Sequence, residues 1–208
     1  MDKQAKKDTV IAASLSLIPY IGGSFAAVFT SIKTDKEIQR LNTFFKDIAS
    51  NIESFDEKLK QVIKESNHDE EYLVMLTEKV AREVEKEARK IKQTAMKNFF
   101  THSLLNGVTK TSYSEVEFFL DVLIDLSEVD INILVLLQQE NRLLAVGEIK
   151  SPTYSDPYFI LASVNKLRSY GLIQLFSGDV LIGVRDNALS EMIKLSNLGT
   201  KFIKFCLN

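Results

Sequence analysis

The chain has few of the residues on which disulfide-stapled and zinc-bound folds depend. Its 208 residues include one cysteine, Cys206, two histidines and no tryptophan. One cysteine cannot form a disulfide within the chain, and with two histidines it cannot complete a four-ligand zinc site. The sequence therefore predicts a fold held by its apolar core, with no cofactor, in a reducing compartment such as the cytoplasm.

An excess of charge of one sign is also missing. The chain has 26 basic and 28 acidic residues, for a formal net charge of -2. A chain without net positive charge lacks the long-range attraction that drives nonspecific binding to nucleic acids. This balance argues against nucleic acid as a partner of the whole chain.

Helix-breaking residues are scarce and unevenly placed. None of the eight glycines and three prolines falls between Ser24 and Asn106, a stretch of 83 residues. Such a stretch favours long helices. Turn residues return after Asn106, so we predict a helical domain over 1–108 and a second domain over 109–208.

Within the helical half, apolar residues recur at alternating spacings of three and four, the pattern of a heptad repeat. A second apolar stripe runs from Leu73 to Ala95 after a short polar break. Together they predict a long antiparallel, coiled-coil-like helical hairpin over 35–105. The first stripe either packs only inside the chain or also assembles copies into a homo-oligomer. This seam consists of Ile38, Leu41, Phe45, Ile48, Ile52, Phe55, Leu59 and Val62.

The N-terminal part contains 24 residues without a charge, Thr9 to Ile32, between two groups of lysines. This length suffices to span a bilayer, but Pro19 and the pair Gly22-Gly23 interrupt its middle. We therefore predict an apolar helical hairpin over 9–32. It is buried in a soluble core, transmembrane, a signal peptide, or packed at rest and inserted into membrane lipid on activation. The candidate membrane or oligomer residues are Ile18, Pro19, Tyr20, Ile21, Gly22, Gly23, Phe25 and Phe29.

The C-terminal half mixes helix and strand patterns. Ser114 with Glu117 forms a predicted capping box, and Gly171 is a predicted helix C-cap. The fold class expected is mainly α, with a winged-helix-like α+β module at the C-terminal end. Its predicted elements are helices over 115–126, 158–170 and 197–206, a helix or strand over 128–137, and strands over 172–176 and 180–184.

Three stretches of this half carry a family resemblance: LSEVDINILVLL at 126–137, NKLRSYGLI at 165–173 and IKLSNLGTKFIKFC at 193–206. They resemble the closing pattern of the abortive-infection alpha family of bacterial phage-defence proteins, over residues 115–208. Ser196 stands where the family usually has threonine, and Tyr170 replaces a common leucine. The resemblance implies a role in limiting phage infection, with a phage or host protein as trigger and no catalytic residue to carry over.

A DNA-binding regulator is one alternative. In a winged-helix module the predicted recognition helix would offer Asn165, Lys166 and Arg168 to the duplex. Residues 114–208 carry 8 basic and 12 acidic residues, and phosphate contacts supply most of the affinity for DNA. The charge of this half therefore disfavours nucleic acid as its partner.

A nuclease is the other alternative. The stretch LLAVGEIKS at 143–151 contains Glu148-x-Lys150, and Asp130 opens an apolar run eighteen residues earlier. This resembles the PD-(D/E)xK nuclease core, in which two carboxylates would hold Mg²⁺ and the lysine would orient the attacking water. Periodicity does not decide whether these runs are strands or helices.

The prediction is thus a non-enzymatic antiviral defence protein. It self-assembles, and its apolar N-terminal helices perturb the membrane when triggered.

Overall fold

The structure of the protein, a computed structural model, describes residues 34–150, 156–176 and 188–208. Within these ranges the chain is mostly helical, with eight α-helices and a three-stranded antiparallel sheet near the C-terminal end. The mainly α fold class with a small C-terminal sheet is therefore confirmed. The apolar hairpin predicted over 9–32 lies outside the described residues. The chain divides into two compact units, Met1–Ile124 and Asp125–Asn208.

Five helices build the described part of the first unit, and the last of them ends at the unit boundary. The first helix opens with a capping box, in which the Glu37 carboxylate accepts from the Thr34 backbone N–H at 2.9 Å. Such reciprocal caps satisfy backbone donors that the helix leaves free. The helices are α1 (Asp35–Ser54), α2 (Glu57–Glu65), α3 (Glu70–Lys86), α4 (Lys90–Asn106) and α5 (Tyr113–Asp125).

Each arm of the long hairpin predicted over 35–105 is broken in two. The first arm ends at Ser54, and α2 begins after Asp56, whose side chain accepts from the Leu59 backbone N–H at 2.8 Å. The second arm breaks between α3 and α4, where the Glu87 carboxylate accepts from the Arg89 backbone N–H at 2.8 Å. Carboxylates that bond to nearby backbone groups compete with the helix and end it. Four shorter helices therefore replace the two long arms.

The break after α1 also ends the heptad seam. Leu41, Phe45, Ile48 and Ile52 are buried as predicted, and Ile38 and Phe55 are half-buried. Beyond the break, Ile63 is the buried residue of α2. Because α2 starts afresh at Glu57, it turns a different face to the core, and an uninterrupted seam to residue 62 is wrong. The two seam residues left 39% exposed are Leu59 and Val62.

An aromatic cluster joins α1 to α4 in the core of the first unit. The ring of Phe45 lies 5.2 Å from that of Phe44 and 6.1 Å from that of Phe100, both edge to face. Edge-to-face pairs of this kind add stability beyond the burial of their area. α1 also packs against α3, so the first unit is held by contacts among α1, α3 and α4.

The helix after residue 108 belongs to the first unit. The Lys79 ammonium on α3 bridges Glu117 and Asp121 on α5, at 3.1 and 2.7 Å. The Tyr72 ring lies 4.9 Å from that of Tyr113. The units therefore divide after Ile124, one helix later than the boundary predicted at 108/109. α5 begins at Tyr113, so the serine at 114 lies inside the helix and is not its cap.

The link between α3 and α4 is fixed by one carboxylate. The Arg89 side chain donates to both oxygens of Glu87, at 2.8 and 2.6 Å, and the Lys92 ammonium lies 3.7 Å away. Lys92 is itself buried and donates to the Ile124 carbonyl. The hydrogen bonds from Arg89, opposed by burial, lower the pKa of Glu87 to about 2.

We expect the Glu87 carboxylate to make the first unit less stable at acid pH. Its pKa in the fold lies below the ordinary value of 4.5, so its contribution is present above pH 4.5 and disappears as the pH falls toward 2. About 2 kcal/mol of unfolding free energy should be lost over this range, because the partner Arg89 is half-exposed and solvent screens the pair. Urea unfolding of Glu87→Gln at a series of pH values should lack this loss. The control Glu53→Gln, at an exposed position of α1, should keep it.

The second unit packs helices against a small sheet. The sheet has the order β1-β3-β2, with both pairs antiparallel, and the central Ile193 faces Leu144 on one side and Leu175 on the other. α6 packs against α7, α8 and β3. The elements are α6 (Glu128–Glu140), β1 (Leu144–Ala145), a 3₁₀ turn (Val146–Glu148), α7 (Pro157–Ser169), β2 (Ile173–Phe176), a second 3₁₀ turn (Ala188–Ser190), β3 (Met192–Leu195) and α8 (Asn197–Cys206).

Most predicted elements of this unit are found. The helices predicted over 158–170 and 197–206 and the strand over 172–176 are confirmed as α7, α8 and β2, and the run at 128–137 is helical. The strand predicted over 180–184 lies outside the described residues. In the described part, the partner of β2 is β3 at 192–195, a strand that the sequence pattern does not indicate.

The serine and glycines of the C-terminal motif hold α8 against the turn before β2. Gly171 has a φ of 70°, and its carbonyl accepts from the Ser196 hydroxyl at 2.6 Å. The Leu172 carbonyl accepts from the Ser196 N–H at 3.0 Å. A Cβ added to Gly199 would lie 1.9 Å from the same Leu172 oxygen. The first turn of α8 therefore lies directly against this turn, and Phe202 and Cys206 on the same helix are buried.

Candidate functional site

One polar cluster of the second unit is centred on a lysine of α7. The Lys166 ammonium lies 2.9 Å from the Asp125 carboxylate and 3.3 Å from that of Asp130, and it also donates to the Asp125 carbonyl at 2.6 Å. The Tyr170 hydroxyl donates to the Asp125 carboxylate at 2.8 Å. Tyr170, the C-cap of α7, follows Lys166 by four residues, so both side chains reach the same carboxylate.

The carboxylates of this cluster change the pKa of its lysine and of its tyrosine. Burial lowers the pKa of Lys166, but the hydrogen bond to Asp125 and the charge of Asp130 outweigh burial and raise it. The hydrogen bond to Asp125 raises the pKa of Tyr170. A lysine and a tyrosine that hold their protons at neutral pH are poor nucleophiles and poor general bases. The cluster joins α7 to Asp125 and to the first turn of α6.

The most buried member of the cluster is Asp130, which is 1% exposed. Its Oδ2 accepts from the Ser127 backbone N–H at 2.7 Å, and the Ser127 hydroxyl accepts from the Asp130 N–H at 3.2 Å. This capping box begins α6. The other carboxylate oxygen of Asp130, Oδ1, is buried without a hydrogen-bond partner among the described residues. Lys166 is thus the counter-charge of an otherwise costly buried carboxylate.

The three residues proposed for a nuclease lie in different settings. Asp130 caps a helix, whereas the nuclease core needs this carboxylate on a strand. Glu148 lies in a 3₁₀ turn after the two-residue β1, with Arg142 at 3.4 Å, and Lys150 is exposed. Across the described ranges, no group of three or more His, Cys, Asp or Glu residues is placed to hold a metal ion. The strand pair on which the nuclease alternative depends is not formed in the described residues.

Of the three residues proposed for contact with DNA, two are exposed and one forms ion pairs. Asn165 and Arg168 are exposed on α7. Lys166, between them, is held by the two carboxylates described above. One of the two cations of the predicted recognition helix is therefore paired within the unit.

The candidate membrane residues at 18–29 lie outside the described residues. In the part of the chain that is described, no helix is both long enough and apolar enough to cross a bilayer.

A basic cleft of about 580 Å³ lies beside α1 in the first unit. One face of α1 supplies most of its wall, because residues three and four apart lie on the same side of a helix. The end of α3, the link after it and α4 supply the rest. We call this the α1 cleft. Its lining residues are Lys36, Gln39, Arg40, Thr43, Phe44, Asp47, Val84, Ala88, Gln93 and Lys97.

The α1 cleft is electropositive above an apolar floor. Three of its side chains are cationic and one, Asp47, is acidic, and the Lys97 ammonium lies 2.9 Å from the Asp47 carboxylate. Lys36 and Arg40 have no carboxylate partner among the described residues. Phe44 and Val84 form the buried floor.

Sequence reasoning missed this cleft. Its only local signal is the spacing of Lys36, Arg40 and Phe44, one helical turn apart on α1. The opposite wall, with Ala88 and Lys97, comes from residues more than 40 positions away, which no local pattern connects to it.

Comparison of the chain with protein-family models, with curated proteins and with solved structures finds no match. A function for this chain therefore has to be argued from its own residues.

Proposed function

We propose that the chain is a non-enzymatic antiviral defence protein of the abortive-infection type, which self-assembles and perturbs the membrane through its N-terminal apolar segment. One observation carries the proposal. The charge-free run from Thr9 to Ile32 ends two residues before Thr34, the cap of an amphipathic helix that is the first element described by the structure. A membrane-active segment is thereby attached directly to a helical body.

The chemistry of this run suits a lipid surface. It lies between Lys3, Lys6 and Lys7 on one side and Lys33 and Lys36 on the other. Basic residues that flank an apolar segment are attracted to anionic lipids, by about 1 kcal/mol each near the surface. Burial of apolar surface in lipid then adds about 25 cal/mol per Å².

Self-assembly is supported by apolar side chains that the first unit leaves in solvent. Leu59 and Val62, three residues apart on α2, are each 39% exposed, and Met75 on α3 is 44% exposed. Exposed apolar side chains of this kind favour association when they lie in one patch.

The defence role rests on the resemblance of the C-terminal half to abortive-infection proteins. In this proposal the second unit, winged-helix-like in its order of helices and strands, is a scaffold that contacts a phage or host protein. The Lys166 cluster and the contact of α8 with the Gly171 turn support that use, because both serve to stiffen the unit.

Dye leakage from liposomes tests the proposal. We expect the wild-type chain to release dye from vesicles that contain phosphatidylglycerol. The variant Gly22→Asp, Ala26→Asp should release at least about tenfold less, since a charge in the middle of the bilayer costs about 2.5 to 3.5 kcal/mol.

The matched control Thr94→Asp, Ser114→Asp places two aspartates at exposed helix positions. It should release as much dye as the wild type. Equal leakage from both variants, or none from the wild type under any trigger, would contradict the membrane role. Light scattering after size exclusion, with and without mild detergent, reports the assembly, and a monomer in both conditions would contradict it.

A further inference from the structure

The proposed function uses Lys36 of the α1 cleft as a flanking charge and leaves the rest of the cleft without a role. We infer that it binds the phosphate group of an anionic phospholipid, an inference that rests on the proposed membrane role. A phosphate with an apolar substituent is also found in soluble phosphate esters, so the experiment has to separate these two sources.

Charge is the first argument. Lys36 and Arg40 are four residues apart on α1, so they lie on the same face of the helix, and neither has a carboxylate partner among the described residues. Lys97 is partly neutralised by Asp47. Two cations therefore remain for a ligand, and one of them is a guanidinium, which binds phosphate through paired hydrogen bonds.

The floor of the cleft is the second argument. Phe44 is 4% exposed and Val84 1% exposed, so the base of the cleft is apolar and closed. Gln39 and Thr43 add neutral polar groups to the lining. The Phe44 ring is too deeply buried to stack on a nucleobase, which binding of single-stranded nucleic acid commonly requires. The lining thus fits a phosphate with an apolar neighbour better than it fits a nucleic acid.

The position along the chain is the third argument. Lys36 follows Ile32, the last residue of the charge-free run, by four positions. Four residues span at most about 14 Å. A headgroup phosphate held by Lys36 and Arg40 would therefore lie within reach of the segment that enters the lipid.

The test uses the full chain and two forms of lipid. Calorimetric titration with dihexanoyl phosphatidylglycerol, below its micelle concentration, measures the site itself, and sedimentation with phosphatidylglycerol vesicles measures the membrane. We expect Lys36→Glu, Arg40→Glu to bind both at least about tenfold more weakly than the wild type. The matched control Lys58→Glu, Lys64→Glu reverses the same number of charges at exposed positions of α2. Its affinity for both forms of lipid should lie within about twofold of that of the wild type.

Three outcomes would contradict the inference. Equal binding by the two charge-reversal variants would overturn the site. Displacement of the soluble lipid by a short oligonucleotide at equal phosphate concentration would overturn lipid as its ligand. Binding of the soluble lipid without binding to vesicles would overturn the membrane as its source.

Failure of this inference is distinguishable from failure of the proposed function. The variant Gly22→Asp, Ala26→Asp should lose leakage and still bind the soluble lipid, because its changes lie outside the α1 cleft. If the Lys36→Glu, Arg40→Glu chain binds the soluble lipid and releases dye like the wild type, the inference fails and the membrane role stands. If no chain releases dye from vesicles but the soluble lipid still binds in the α1 cleft, the membrane role fails and the site stands.

Discussion

Replacing Gly199 by alanine is expected to destabilise the second unit by more than about 3 kcal/mol, beyond the usual cost of overpacking. The added Cβ would lie 1.9 Å from the Leu172 carbonyl oxygen and 2.9 Å from its carbonyl carbon. This obstacle is backbone, and the oxygen is already fixed by the hydrogen bond from the Ser196 N–H at 3.0 Å. To make room, α8 would have to leave the turn and expose Phe202 and Cys206, which are fully buried.

Urea unfolding followed by circular dichroism, with amide exchange of α8, measures this loss. Gly171→Ala is the graded control, because an added Cβ there meets nothing closer than 3.6 Å and only its φ of 70° is unfavourable. It should cost about 1 to 2 kcal/mol. Lys204→Ala, at an exposed position of α8, should cost little. If Gly199→Ala unfolds like Lys204→Ala, the close contact does not exist.

Replacing Lys166 by methionine is expected to destabilise the second unit by about 2 to 3 kcal/mol. The change leaves the Asp130 carboxylate 1% exposed with no counter-charge, while its backbone partner at Ser127 remains. Breaking a fully buried ion pair costs about 3 to 5 kcal/mol. The loss should be smaller here because the Lys166 side chain is 31% exposed and Asp125 remains accessible to water.

A double-mutant cycle separates lost pairing from lost packing. Adding Asp130→Asn to Lys166→Met removes the buried charge and should recover part of the stability, since the amide oxygen can still accept from the Ser127 N–H. Arg168→Met is the matched control on the exposed face of α7 and should change the free energy of unfolding by less than about 0.5 kcal/mol. Additive losses at residues 130 and 166 would contradict the pairing.

These two predictions also show how far local patterns reach. The Ser127 cap, the proline at the start of α7 and Gly171 at its end can each be read from a few neighbouring residues. In the nuclease alternative Asp130 is a metal ligand, because a carboxylate suits both a capping box and a metal site. Local sequence does not show that Lys166, 36 residues later, lies against it.

The heptad pattern illustrates the same limit within a single stripe. Its spacing holds through Val62, yet burial of the stripe ends at Ile52, because Asp56 ends one helix and begins another. The strand β3 was missed for a different reason. Four residues, Met192 to Leu195, are too few for alternation to be read, and only pairing with β1 and β2 makes them a strand.

The sequence by itself determined the mainly helical class, the ends of α7 and α8 and the start of α6, because caps, glycines and apolar spacing act over a few residues. Only the tertiary structure decided where the helical arms break, which unit holds α5, which lysine is paired with Asp130, and that an electropositive α1 cleft exists. These features depend on contacts between residues far apart in the chain, such as Asp47 and Lys97. Their energies come from burial and charge pairing that local spacing does not contain.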